Sequence, residues 1–563
     1  MLENREAYGT LTTDITVTEQ WTPIGGSDGA VTYSGVFNGG NHKITFSAGI
    51  ADWKFVGLFA VNEGAIQNLT IEGGDISSQT DLAFAGGFAG LNRGTITNCT
   101  NNINITASGK NAYAGGIAGT MQFGTISGYV NNGTITITSD IQSENITDKE
   151  ASAGGIVAFN YNGFIKKCTN NGAISNSEEQ GYTGGIAGNN SGSIDNCLNT
   201  GEITNSDSKA SSLTGGIAGL LYHNTNIGTD ATVKNSLNLS STREVLGTNA
   251  AGENAGILYN CYYKAEVSGS EDNGAVSVTL EELNSGSVTY KLNGSTAANP
   301  AWGQNLGDAN SLPVIGEVTV YPDKENEGSY TNTKPTDGNH NYTNGACPIC
   351  GEIIGKVDGY NITLNGAIGL NYYFDVKNTV AIEDIKVTFN NKAYELKDVT
   401  NDKSLSAGLA DGYKRYMSTV TVNAYQMNMS IVAKLTFPYD GQDITVEGAS
   451  YSLNKYLNSL YTSPGTKNVA DVKAIAQAMS TYGYYANEYF KKYPHYKPHI
   501  ILNNLTVNSS NIDSTYDTYY SEEVTSEKYG LTHYANSFPH VDEIHCLFYI
   551  KERKYYQKYS HVI

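Results

Sequence analysis

A glycine-rich phrase that recurs between residues 86 and 216 limits the fold of the first half of the chain more than any other feature. Each copy has a Gly-Gly pair followed by an apolar residue, and the five copies begin at Gly86, Gly115, Gly154, Gly184 and Gly215. Successive copies are therefore 29, 39, 30 and 31 residues apart. Repeats of this period are typical of solenoids, in which units too small to bury their own apolar face stack on one another.

Aligning the copies brings short alternating segments into register, such as GTITNCTNNINIT from Gly94 and GSIDNCLNTGEIT from Gly192. Gly and Asn interrupt them and no 3.6-residue apolar stripe is present, so they favour short β-strands, about three in each coil of a parallel β-helix. Three rows are expected to stack inside the coils: Ile96, Ile126, Ile165 and Ile194; Cys99, Tyr129, Cys168, Cys197 and Ser236; and Asn101, Asn131, Asn170, Asn199 and Asn238.

Each row has a structural interpretation and a chemical one. A metal or redox site could explain the cysteines, but Tyr129 and Ser236 interrupt their row, so we favour small filler in a dry core. The asparagines predict amides that hydrogen-bond to the coils above and below. Because the Gly-Gly phrase lacks the G-x-G-x-x-G and G-x-x-x-x-G-K-[ST] patterns, we interpret it as a tight corner that only Gly fits, not as a phosphate loop.

Composition excludes several classes of protein. The 563 residues predict two to four domains, and seven cysteines are too few for a disulfide scaffold. A net charge of −20 argues against binding to nucleic acid or to anionic lipid. No apolar run reaches the ~18 residues of a transmembrane helix, so we expect no membrane insertion. The first residues also lack the basic and apolar regions of a signal peptide, which raises the expectation of a truncated chain.

Several dissimilar motifs carry a resemblance to a known family. The segments LTTDITVTEQWTPIGG (residues 11–26), YSGVFNGGNHKI (33–44) and VGLFAVNEGAIQNLTI (56–71), with the GGIAG copies, resemble the GLUG-type repeats of bacterial cell-surface proteins. The later motifs SGSVTYKLNG (285–294) and SLPVIGEVTVY (311–321) extend the resemblance to about residues 8–322. It implies a right-handed parallel β-helix, as in secreted adhesin-like proteins of Firmicutes and in the non-catalytic region of immunoglobulin-A1-specific metallopeptidases. We expect this helix over residues 1–265, with a closing or capping segment over 266–322.

A polar linker, residues 323–356, carries a cysteine pair. In this linker six residues separate His340 from the segment Cys347-Pro-Ile-Cys350-Gly351. Two thiolates on such a turn, with the imidazole as third ligand, are typical of structural zinc sites, although a fourth ligand is not evident. A local disulfide or two unused thiols are the alternatives. The pattern resembles spacers that look structural in surface proteins of gut Firmicutes.

The region 357–495 predicts a β-sandwich followed by two helices. Its strands alternate apolar and polar residues and are separated by Asn-Asn and Asp-Gly turns. In the last helix, apolar residues at three- and four-residue steps predict a docking face that includes Val472, Ile475 and Met479. The tyrosines there could stack on sugars, but half-core, half-rim positions are favoured: Tyr482, Tyr484, Tyr485, Tyr489 and Tyr493. The module resembles a domain of clostridial surface proteins that has no assigned activity.

Residues 496–563 follow no clear pattern, and we expect a poorly ordered tail. Within FPHVDEIHC (residues 538–546), His540 and Asp542 would share one face of a strand and could chelate a metal. A solvated segment is the favoured interpretation.

No catalytic motif is present. H-E-x-x-H and G-x-S-x-G are both absent, and acidic residues of the repeats, such as Asp195 and Glu202, are scattered. We therefore predict no catalytic or cofactor-binding residues. The function expected is a non-enzymatic, secreted or surface-displayed scaffold whose loops, such as residues 140–152 and 205–212, bind a glycan or a host surface protein. The alternatives are a β-helix polysaccharide lyase or hydrolase and the non-catalytic fragment of a surface metallopeptidase.

Overall fold

The repeats of the first half stack into a parallel β-solenoid of about seven turns, as predicted. The structure is a computed structural model that describes residues 7–26, 31–51, 53–109, 111–138, 151–177, 181–205, 213–223, 231–241, 245–250, 255–266, 271–272, 274–298, 300–316, 318–323, 325–335, 340–364, 368–462, 469–492, 525–526, 531–532 and 547–548. The chain divides into two compact units: Met1–Asn339 with Pro348–Gly351 and Gly465–Val469, and His340–Cys347 with Glu352–Pro464 and Ala470–Ile563.

The solenoid has four strand-built faces. The largest is an 18-stranded sheet of Tyr8–Thr10, Ile15–Val17, Val36–Phe46, Ala65–Glu72, Thr95–Thr97, Thr100–Asn101, Thr125–Ser127, Val130–Asn131, Phe164–Lys166, Thr169–Asn170, Ser193–Asp195, Leu198–Asn199, Thr232–Lys234, Leu237–Asn238, Ile257–Tyr259, Tyr262–Lys264, Glu271–Asp272 and Ala275–Val278. A seven-stranded sheet comprises Phe59–Asn62, Ala89–Asn92, Ala118–Gln122, Val157–Tyr161, Ala187–Asn190, Ala218–Leu221 and Leu246–Asn249. One six-stranded sheet comprises Ile50–Ala51, Asp75–Ser78, Asn104–Ser108, Ile135–Thr138, Ile174–Asn176 and Ile203–Asn205. The other comprises Phe55–Val56, Leu82–Gly86, Asn111–Gly115, Ser152–Gly154, Tyr182–Gly184 and Thr214–Gly215.

The three predicted rows lie inside the solenoid in register. Ile96 pairs with Ile126, which pairs with Ile165, and these isoleucines are at most 1% exposed. The cysteine row is equally buried, and each thiol donates to the carbonyl oxygen two residues earlier, as Cys168 does to Lys166 at 3.3 Å. The hydroxyl of Ser236 makes the same contact with Lys234 at 2.8 Å. In the coils that carry Cys or Ser, this row therefore closes a turn, which explains why Ser can replace Cys there; Tyr129 fills the position in one coil without this contact.

The asparagine row forms a continuous ladder of hydrogen bonds. From Asn101 to Asn238, each amide nitrogen donates to the amide oxygen of the next coil at 2.8–3.0 Å. All five side chains are fully buried. A second, shorter ladder, which the sequence analysis missed, joins Asn62 to Asn92 and Asn160 to Asn190 at 2.7 Å. Buried amides thus fix the register of the stack from coil to coil.

The Gly-Gly phrase fits the predicted tight corners because neighbouring coils approach it closely. A Cβ atom on Gly155 would lie 2.1 Å from the carbonyl oxygen of Gly185 and 2.3 Å from Cγ of Asn170. Gly116 has the same relation to Asn131, at 2.5 Å. The second glycine of the phrase therefore makes room for the asparagine ladder.

A closing segment packs along one side of the solenoid. It contains α1 (Leu280–Asn284) and α2 (Ser287–Leu292), followed by the strand pair Trp302–Gly303 and Val314–Ile315 and the pair Tyr321–Pro322 and Tyr330–Thr331. The indole N–H of Trp302 lies 3.0 Å from the side-chain oxygen of Asn196 and 3.1 Å from the carbonyl oxygen of Asn235. The outward Leu198 and Leu237 join its apolar cluster, where earlier coils carry Thr or Val.

The second unit has the predicted sandwich of two antiparallel sheets around one core. One sheet comprises Gly355–Leu364, Ile368–Lys377, Lys397–Asp398 and Tyr413–Thr421, and the other comprises Lys386–Phe389, Lys392–Tyr394, Ala433–Tyr439 and Gln442–Glu447. The 3-10 turns are Ile382–Asp384 and Ala424–Gln426, and the helices are α3 (Leu453–Thr462) and α4 (Val469–Lys492). On α4, Ala476 enters the core whereas Ile475, predicted on the docking face, is 41% exposed.

A buried ion pair joins two neighbouring strands of the first of these sheets. The guanidinium of Arg415 contacts both carboxylate oxygens of Asp375, at 2.7 and 2.9 Å, and also contacts Asp358. Asp375 is only 2% exposed, so the pair depends on these contacts to offset its loss of water.

Further along the chain, the described strands are Thr525–Ser526, Leu531–Thr532 and Leu547–Phe548.

Candidate metal centre

Two consecutive tight turns shape the segment 340–354, which we call the knuckle. In the first, Thr343 and Ala346 exchange backbone hydrogen bonds of 2.8 and 3.1 Å across Asn344 and Gly345. Both central residues have positive φ, +50° and +77°, as a type I′ hairpin turn requires. The Asn-Gly dipeptide adopts this geometry readily because both residue types tolerate the left-handed region.

The second turn carries the two cysteines. The backbone N–H of Cys347 donates to the carbonyl oxygen of Glu352 at 2.8 Å, which closes the Cys-Pro-Ile-Cys-Gly loop. Gly351, with a φ of +71°, reverses the chain directly after Cys350. Both cysteines are at most 4% exposed, and neither forms a disulfide. The local disulfide considered above is therefore not formed in this structure.

The knuckle brings together the three residues that the sequence singled out. One ligand atom each from His340, Cys347 and Cys350 lies within 4.8 Å of the others, with both cysteines buried and the histidine partly buried. This His/Cys/Cys set could hold a metal ion. Thiolate and imidazole ligands suit Zn²⁺ far better than Mg²⁺ or Ca²⁺, which prefer oxygen.

The carboxylate of Glu352, which was not predicted from the sequence, adjoins the cluster. Nε2 of His340 lies 3.5 Å from Oε2 of Glu352. The same oxygen accepts a hydrogen bond from the hydroxyl of Tyr342 at 3.1 Å, and Nζ of Lys377 lies 3.5 Å from Oε1. Burial, and then the charge of Glu352, raises the pKa of Tyr342 well above its ordinary value, so the phenol stays a donor at neutral pH.

The position of Glu352 carries a weak signal in the sequence. It is the second residue after Cys350, on the stretch that returns beside Cys347 once the turn closes. A search for acidic residues just beyond a C-x-x-C-G turn would have found it. Lys377, in contrast, joins the site through the sheet and has no local signal.

Within the part of the chain that the structure describes, the other residues considered in the sequence do not join this cluster. Asp195 accepts hydrogen bonds of 2.9 Å from Asn196 and Asn235, and Glu202 contacts Ser241. His540 and Asp542, Tyr493, and the loop residues 140–150 and 206–212 lie outside the described residues, as do the side chains of Tyr484, Tyr485 and Tyr489. Within the ranges given above, no helix has the length and apolarity needed to cross a membrane.

Together the fold and the cluster define a β-solenoid repeat protein with a sandwich domain and a His/Cys/Cys cluster that could hold a metal ion. Comparison with protein-family models, with curated proteins and with solved structures gave no match for this chain.

Proposed function

We propose that this chain is a non-enzymatic, adhesin-like bacterial scaffold, secreted or displayed at the cell surface, whose solenoid presents loops to a glycan or a host surface protein. The observation that carries the proposal is the way the solenoid uses its polar groups. The buried amides of the ladder bond to one another and to the backbone, as Asn170 does with Asn199 and Gly172. Such an interior provides stiffness and register, and offers no group to a substrate.

Two insertions support a binding role because they share one corner of the solenoid. Residues 139–151 connect Ile135–Thr138 to Ser152–Gly154, and residues 206–213 connect Ile203–Asn205 to Thr214–Gly215. Both therefore join the same two six-stranded sheets. In the coil between them, the corresponding connection from Asn176 to Tyr182 is shorter. Insertions on one face of a solenoid often form the surface that contacts partners.

An enzymatic role for the solenoid has less support. Polysaccharide hydrolases need two carboxyl groups that face one bond of the substrate. Asp195 is engaged with two asparagines and with Lys234, whose Nζ lies 3.2 Å away. Glu202 is engaged with the backbone N–H and hydroxyl of Ser241. Both carboxylates therefore have structural partners.

An aromatic stack on the outer surface is also a poor platform for sugars. The rings of Phe55, Phe84 and Tyr113 stack at 5.0–5.1 Å with interplanar angles of 9° and 15°. Nζ of Lys54 lies over the ring of Phe55, 5.2 Å from its centroid. Because sugars stack on ring faces and these faces cover one another, we assign the stack to stability and binding to the corner loops.

A panel of mucins and glycans, probed with the full-length chain, tests this proposal. We expect binding that is lost when residues 140–150 and 206–212 are each replaced by a connection as short as the one in the intervening coil. The matched control replaces the same residues with Gly/Ser linkers of native length, which separates loop chemistry from loop length. If neither the native chain nor the variants bound any member of the panel, the proposal would fail.

We further propose that the knuckle holds a structural zinc ion. The support is the cluster of His340, Cys347 and Cys350 on a stretch whose two turns already place the ligands close together. Metal analysis of the full-length chain is expected to give about one zinc per chain, lost on substitution of Cys347→Ser. Cys197→Ser is the matched control, because the solenoid already carries Ser236 in that row. Metal-free protein, or two cysteines recovered as a disulfide, would refute the zinc site.

A further inference from the structure

We propose that Glu352 is the positioning residue of this metal site: its carboxylate holds the imidazole of His340 through Nε2 and leaves Nδ1 to the metal. The inference rests on the zinc site proposed above. It assigns the ligand atom of the histidine and gives a role to a residue outside the set of ligands.

The imidazole of His340 and the carboxylate of Glu352 lie close together. Nε2 of His340 lies 3.5 Å from Oε2 of Glu352. Histidines that bind a metal through one ring nitrogen almost always donate the N–H of the other to a carboxylate, a carbonyl oxygen or water. This donation fixes the tautomer and the orientation of the ring, and makes the ligating nitrogen more basic.

The carboxylate of Glu352 is itself fixed by neighbouring side chains. Tyr342 donates to Oε2 at 3.1 Å and Lys377 lies 3.5 Å from Oε1. The ring of Tyr342 also stacks on that of His340, with centroids 5.4 Å apart and an interplanar angle of 24°. Gln442 donates to the carbonyl oxygen of His340 at 2.7 Å. His340 is therefore contacted at three points: its backbone carbonyl oxygen, one face of its ring and Nε2.

Glu352 is not itself one of the clustered ligands. The group of ligand atoms within 4.8 Å of one another comprises His340, Cys347 and Cys350, and does not include this carboxylate. Glu352 nevertheless acts on both kinds of ligand, because its carbonyl oxygen accepts from the backbone N–H of Cys347. One residue thus connects the thiolate turn with the imidazole.

The test compares zinc affinity, measured by chelator competition on the full-length chain, between the native protein and Glu352→Gln. Gln keeps the shape of the side chain but removes the charge, and loss of such a partner weakens metal binding about 10–100-fold. Co²⁺ substituted for zinc supplies a second reading. Its thiolate charge-transfer bands and visible bands should be unchanged, because the ligands stay the same. Glu395→Gln is the matched control: it makes the same change at an exposed glutamate outside the knuckle and should bind zinc as tightly as the native chain.

Each outcome separates this inference from the zinc proposal. If the native chain binds no zinc, the metal site itself is wrong. If the native chain binds zinc and Glu352→Gln binds it within about twofold, the zinc site stands and the positioning role is overturned. If Glu352→Gln changes the Co²⁺ bands in the way a lost ligand does, Glu352 is an inner ligand and the positioning role is likewise overturned.

Discussion

Replacing Asn170 by alanine tests the asparagine ladder at its centre. Nδ2 of Asn170 donates to Asn199 at 2.8 Å and to the carbonyl oxygen of Gly172 at 2.9 Å. Its Oδ1 accepts from Asn131 at 2.8 Å. The side chain is fully buried, so water cannot replace any of these partners in the variant.

The expected cost follows from these three bonds. Each buried hydrogen bond contributes about 1 kcal/mol net, and each partner left unsatisfied costs about 1–3 kcal/mol. Because Asn131 keeps a second acceptor in Gly133 and Asn199 keeps the N–H of Gly201 as a donor, we expect the lower part of this range. Asn170→Ala should lower the free energy of unfolding by roughly 3–6 kcal/mol.

Tryptophan fluorescence during urea unfolding provides the assay. The three tryptophans, Trp21, Trp53 and Trp302, all precede residue 340 and so report on the first unit alone. The matched control is Asn171→Ala. This neighbouring asparagine bonds to Asn132 at 2.9 Å and to Thr200 at 2.8 Å, but on the exposed surface.

Loss of the exposed contacts should cost less than about 1 kcal/mol. The reasoning would be refuted if the two alanine variants unfolded at the same urea concentration, or if the variant of the exposed asparagine were the less stable. Either result would mean that the buried ladder contributes no more to the stack than a surface contact.

Three further predictions concern the corners, the thiols and the sandwich. Gly155→Ala should prevent folding of the solenoid, measured by the same fluorescence, because its Cβ would lie 2.1 Å from a carbonyl oxygen of the next coil, whereas Gly9→Ala has nothing within 4 Å and should be silent. Burial raises the pKa of the Cys99 and Cys261 thiols to about 12. Because unfolded thiols titrate near 8.5, each contributes stability that is complete below that pH and falls by about 1.4 kcal/mol per pH unit up to about 12. Urea titrations at increasing pH should show this slope, reduced when Cys261 is changed to Ser. Arg415→Met leaves the buried carboxylate of Asp375 without its guanidinium partner and should cost the second unit about 3–5 kcal/mol, measured by circular dichroism; an unchanged unfolding midpoint would contradict this.

The repeat period made the interior of the solenoid predictable. Once the Gly-Gly pairs were aligned, Ile126, Cys168 and Asn131 fell into rows that the structure confirms. The second amide ladder was missed because Met121 interrupts it between Asn92 and Asn160. Because Asn does not recur in every repeat, this row is visible only once the coils are stacked.

Contacts between distant parts of the chain could not be predicted in the same way. Trp302 donates a hydrogen bond to Asn196, which lies 106 residues earlier in the sequence. No local sequence pattern around either residue predicts this contact. The thiols and imidazole of the knuckle were identified because their spacing is local. Glu352, two residues beyond Cys350, has only a weak local signal. Lys377 has none, because tertiary structure alone brings it to the site.

The mass of a mucin film under flow, followed by a quartz crystal microbalance, tests the central claim most directly. A scaffold that binds through its loops should add mass to the film and leave the original mass behind when it is washed off. Loss of film mass on addition of the chain would contradict the account, because it would show an enzyme that degrades its ligand. A film mass that does not change at all would contradict binding to mucin.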